Sequence, residues 1–231
     1  MKKNQIVCFF SLLLSLPLFG QIETDYGIWN SLEIGKKFEN GFSLSFEEEF
    51  RLRNALKTVD KFQSTLELKY KFTSYLDAGA SYTMINYFRP SDQYHPHNFW
   101  ELRHRSNLFV ETDAKLGRFS FALRERFQST YRMLDAYSTA KTNPKHMLRS
   151  KLSADYNVKG IPLEPYASLE LFHVLNGNKK GEQEKYRIAA GLKYKLNESW
   201  SVKAGYVYAD ETDEEDGDRE HVLQLGLNWK L

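Results

Sequence analysis

The chain is 231 residues long, with 32 Lys and Arg, 30 Asp and Glu, 15% aromatic residues and a mean hydropathy of −0.57. A disordered chain would lack the rings, and a disulfide scaffold needs more than the single Cys present. A polytopic helical protein needs several long uncharged runs, and only the N-terminus offers one.

Lys2 and Lys3 begin that run, Ile6 to Phe19 is apolar apart from Ser11 and Ser15, and Gly20 places a small residue before Gln21. This is the layout of a secretory signal peptide over 1–20, leaving 21–231 as the mature chain. Cys8 lies at the front of the apolar run, whereas a lipoprotein cysteine would close it. Cleavage would remove Lys2, Lys3 and Cys8, so the 32 basic residues fall to the number of acidic ones, 30. A neutral, cysteine-free chain is a poor nucleic-acid binder and has no thiol chemistry or disulfides.

From Tyr26 onward the pattern has period two, the signature of strands with one apolar and one polar face. In Phe42 to Arg53, Phe42, Leu44, Phe46, Phe50 and Leu52 oppose Ser43, Ser45, Glu47, Glu49, Arg51 and Arg53, with Glu48 as the exception. The alternation returns in Phe62 to Phe72, Trp100 to Val110, Phe119 to Gln128, Leu148 to Tyr156, Lys185 to Leu196, Trp200 to Tyr208 and Glu220 to Leu231. Short turns at Glu39 to Gly41, Thr73 to Tyr75 and Asn197 to Ser199 recur after similar strings, and Thr112 to Arg118 and Asn157 to Pro165 are read as longer turns of the same kind. Between them lie polar connections at Arg89 to Asn98, Met133 to Lys145, Asn176 to Gln183 and Asp210 to Arg219.

Short turns alternating with long loops, and strands of about ten residues, are expected of a transmembrane antiparallel β-barrel with up-and-down topology. A soluble barrel also alternates. The charges carried by nearly every polar face and the rings near strand ends favour the membrane form. Eleven candidate strands can be counted, starting at Tyr26, although bacterial barrels usually have an even number. The expectation is therefore ten to twelve. A ten-strand set would start at Phe42, with the first segment as an extra strand or lead-in.

In such a barrel the lumen is lined by Glu47, Glu49, Arg51, Arg53, Glu67, Lys69, Arg103, Arg105, Arg124, Arg126, Arg149 and Lys151. Mixed signs point to a salt-bridged plug or a narrow polar pore rather than a single-sign selectivity ring. On the opposite face, His104 and Ser106 lie two apart. Folding back at Thr112 to Arg118 would bring Glu125 opposite His104 or one step away. A serine, an imidazole and a carboxylate on a lipid-facing wall suggest a hydrolase acting on bilayer substrates.

Weaker signals are the acidic run Asp210 to Asp218, which misses the register of a calcium hand, and His95-Pro96-His97, two imidazoles without further ligands. Asn176 to Gly181 lacks the spacing of a phosphate loop. No metal and no cofactor is expected. The expected partners are outer-membrane lipids and lipopolysaccharide, with no nucleic acid. A surface-binding role would fall on the connections 89–98 and 133–145.

The strings Tyr26-Gly27-Ile28-Trp29, Phe46-Glu47-Glu48-Glu49-Phe50-Arg51-Leu52-Arg53, Glu101-Leu102-Arg103-His104-Arg105, Leu148-Arg149-Ser150-Lys151-Leu152 and Leu163-Glu164-Pro165-Tyr166 resemble the outer-membrane barrel family DUF2490. The resemblance spans nearly all of 21–231. It implies a Gram-negative outer-membrane location and supplies no activity. Arg103-His104-Arg105-Ser106-Asn107 also resembles the signature of lipid A 3-O-deacylase barrels. That resemblance implies His104 as base and Ser106 as nucleophile, with Leu108 departing from the family's small residue.

Overall fold

The computed structural model describes residues 24–91, 96–133, 142–211 and 219–231. The leader over 1–20, His95 and most of the acidic run after Asp210 lie outside the described residues.

Eleven strands close into one barrel: β1 (Thr24–Lys37), β2 (Phe42–Arg53), β3 (Thr58–Lys71), β4 (Leu76–Arg89), β5 (Phe99–Leu116), β6 (Phe119–Arg132), β7 (Lys145–Tyr156), β8 (Leu163–Val174), β9 (Gln183–Lys195), β10 (Trp200–Glu211) and β11 (Arg219–Lys230). Each strand pairs antiparallel with the next, as the up-and-down reading requires. An odd number of up-and-down strands leaves the first and last pointing the same way. β1 and β11 accordingly close the ring in parallel, from Thr24 opposite Arg219 to Gly35 opposite Lys230. The first segment is thus the strand beyond ten rather than a lead-in, and it pairs along both edges.

The β5–β6 reversal differs from the sequence expectation. Leu116 pairs with Phe119, so β5 runs through Asp113 and Lys115 and turns at Gly117-Arg118. Gly117 takes φ 61°, which a glycine adopts without steric cost and which makes the two-residue hairpin possible. At the other end of the barrel, Asn54, Ala55 and Leu56 turn with φ of 54°, 51° and 68°. Left-handed backbone costs a non-glycine residue about 1–2 kcal/mol. The turn is held by the β1 start: the Asn54 amide donates to Asp25 Oδ1 at 2.6 Å, and the Ala55 amide to the Tyr26 carbonyl at 2.9 Å.

The polarity is inside out relative to a soluble domain. Leu108 is 63% exposed and Leu223 50%, and the outward rows of most strands are Leu, Ile, Val and Phe. Ring pairs gather near both rims, including Trp200 stacked on Trp229 at 5.3 Å and Phe119 tilted against Tyr156 at 4.8 Å at the short-turn end. At the opposite rim Phe88 meets Trp100 edge-on at 5.4 Å. An apolar band between two aromatic girdles is the surface a bilayer-embedded barrel presents.

Candidate functional site

Strand register fixes which side chains enter the lumen, because directly paired residues share a face. The pairings carry the face of Glu47 through Thr65, Thr83, Arg105, Thr130 and Lys145 in one direction and through Glu33, Asn228, Ser201 and Lys195 in the other. All twelve residues named above stand on this interior face.

Several are knitted into ion pairs. Arg124 reaches from β6 across to Glu67 on β3 at 2.8 Å, a contact between non-adjacent strands that only an inward direction allows. Arg51 pairs with Glu49 at 2.6 Å, and Gln63 also donates to Glu49. Lys69 holds Asp77 at 2.9 Å and Glu111 at 3.4 Å. Arg103 pairs with Glu101 at 2.6 Å. Glu170 accepts from Arg149 at 2.7 Å and from Arg187 at 3.3 Å.

The rest of the twelve are not matched in this way. Arg105 donates to the Thr130 hydroxyl at 3.3 Å and has no carboxylate partner among the described residues. Arg53, Arg126 and Lys151 make no ion pair, and Glu47 none either, among the described residues. Cation stands directly opposite cation at Arg51 and Lys61, Arg103 and Arg132, Arg124 and Lys151, Arg126 and Arg149, and Lys193 and Lys203. Like charges in direct cross-strand register are destabilising. Half-way round the ring from the β6–β7 block, Glu33 faces Glu47 on β1 and β2.

Aromatic rings on the interior face went unread in the sequence. The Arg51 guanidinium lies 3.6 Å from the Trp29 ring centroid and Arg187 4.8 Å from it. Arg124 lies 3.7 Å over Phe109, and Arg149 4.6 Å over Phe172. Such stacking stabilises a desolvated guanidinium by about 2 kcal/mol. Trp29 joins Tyr166, Ala189, Val207 and Val222 in a buried apolar strip on the inner wall. With Val207 1% and Ile85 0% exposed, these inward side chains are covered by their neighbours and narrow the lumen. The signal for Phe109 was present: it sits in phase with Arg103 and Arg105, between the outward Leu108 and Val110.

The hydrolase constellation is taken apart by register. Glu125 pairs with Val110 and Ser150, not with His104, whose β6 partner is Tyr131. The two-residue turn moves Glu125 six positions from His104, about 20 Å along the strand. Glu125 instead accepts a 2.7 Å hydrogen bond from the Ser150 hydroxyl. His104 Nδ1 shares a 2.5 Å hydrogen bond with the Tyr82 hydroxyl, and Ser106 lies between Tyr82 and Ser129. Among the described residues, no acid is bonded to the His104 imidazole.

Asp77, Glu111 and Asp113 bring carboxylate oxygens within 4.8 Å of one another. Lys69 already sits between Asp77 and Glu111, so the group reads as a salt-bridge cluster.

Fold and lining together define a closed β-barrel with an apolar exterior and a charged, partly filled interior. The chain belongs to the family described as a protein of unknown function (DUF2490), whose model matches residues 26–220. Among curated proteins no relative matches by sequence. The NanC porin structure is similar at 16% identity and a TM-score of 0.49, over 80% of this chain and 85% of that one. The outer-membrane expressed OmpT of Vibrio cholerae is similar at 14% identity and a TM-score of 0.42, over 76% of this chain and 57% of that one.

Proposed function

We propose that this chain, exported through its N-terminal leader, is an integral outer-membrane barrel that acts as a narrow polar channel for small hydrophilic solutes. The observation that carries the reading is the inverted polarity: ion pairs such as Arg124 with Glu67 span the interior, while leucines such as Leu108 and Leu223 face outward. About eight strands leave an interior that side chains fill, and diameter grows with strand number. Eleven strands narrowed by Trp29, Ile85 and Val207 therefore suit single small solutes rather than a wide aqueous pore.

The test is single-channel recording of the purified barrel in a planar bilayer, after a heat-modifiable gel shift has established that it is folded. Small, reproducible conductance steps are expected. A folded barrel that stays silent overturns the channel and leaves a structural outer-membrane barrel.

A further inference from the structure

On β6 and β7 the interior cations outnumber the interior carboxylates. Arg126 stands directly opposite Arg149, and Arg124 opposite Lys151. Glu67 takes Arg124, and Glu170, which stands directly opposite Lys151, bonds Arg149 and Arg187 instead, so neither Arg126 nor Lys151 makes an ion pair among the described residues. The buried Nε of Arg187 also lacks a hydrogen-bond partner, while that of Arg124 meets Glu111 at 3.6 Å. Charges withdrawn from water are ordinarily paired, and a guanidinium offers a planar fork of donors suited to oxygen anions.

We infer that Arg126 and Lys151, which stand diagonally across the β6–β7 pair, form an anion site inside the barrel that takes a small oxyanion or carboxylate-bearing solute. A bound anion would relieve the cross-strand repulsion between β6 and β7 while accepting from donors that the protein leaves open. Glu33 and Glu47 line the far wall, so a single small anion fits this arrangement better than a uniformly polyanionic chain. The inference rests on the polar-lumen reading, although binding does not require conduction.

The experiment measures the thermal unfolding midpoint of the folded barrel in zwitterionic detergent against inorganic phosphate at constant ionic strength, with acetate as a second arm. Both arms together separate a general oxygen-anion site from a phosphate-selective one. The expected result is a saturable rise in midpoint. Arg126→Gln combined with Lys151→Gln should weaken the apparent affinity at least about tenfold, equivalent to about 1.4 kcal/mol. The same double variant should unfold no lower than the parent in anion-free buffer, because the opposed charges are gone. Lys195→Gln, at the rim and paired with Glu164 at 2.6 Å, should keep the parental response. No saturable rise, or an equal rise in the double variant, overturns the site. Single Arg126→Gln and Lys151→Gln variants repeat the comparison if the double one does not fold. A barrel that is silent in the bilayer yet binds phosphate through these residues removes the channel and keeps the site. A conducting barrel indifferent to phosphate does the reverse.

Discussion

Glu170 on β8 holds two guanidiniums at once, Arg149 from β7 and Arg187 from β9, so one carboxylate ties three neighbouring strands together from inside. Removing its charge would strand both arginines in a buried setting. Glu170→Gln is expected to destabilise the barrel by about 3–5 kcal/mol. Urea unfolding in detergent or in vesicles checks this, with Glu164→Gln at the rim as the mild comparison.

Trp29 is the ring on which Arg51 and Arg187 both rest. Trp29→Ala should cost about 3–5 kcal/mol, as large buried aromatic truncations do. The same change should widen the lumen beside Trp29 and raise single-channel conductance. A stability loss with unchanged conductance would mean that the passage lies elsewhere in the ring.

The parallel seam makes a sharp structural prediction. Asn30 is the direct partner of Leu225 across β1 and β11. Residues 21–231 contain no cysteine, and paired Cα atoms in a sheet lie within disulfide reach. Asn30→Cys with Leu225→Cys should cross-link on oxidation, giving a band that stays compact on heating until reduced. Asn30→Cys with His221→Cys, four residues along the same edge, should not. The reverse outcome would mean that the ring closes in another register.

Ser106→Ala and Glu125→Gln should leave lipid A acylation unchanged, since Glu125 bonds Ser150 and His104 bonds Tyr82. Mass spectrometry of lipid A from cells carrying each variant checks this. Loss of an acyl chain with the parent and not with Ser106→Ala would revive a lipid-facing active site.

The alternation of Phe42 to Arg53 and of the segments after it dictated by itself that the chain forms strands with one apolar and one charged face. Period-two pattern is local, so it can be read without knowing any partner strand. The family could likewise be recognised from the strings around Glu48, His104 and Ser150, and its model matches residues 26–220. Tertiary structure alone decided how the strands meet. Gly117-Arg118 could have been the end of a seven-residue turn or a two-residue hairpin, and only the paired strands β5 and β6 fix which. That choice moved Glu125 away from His104. Closure decided the rest: eleven strands require β1 to run parallel to β11, and the ring sets Glu67 against Arg124 and leaves Arg126 facing Arg149. Those relationships join residues far apart in the chain, and charge on one strand carries no record of which charge the neighbouring strand will place beside it.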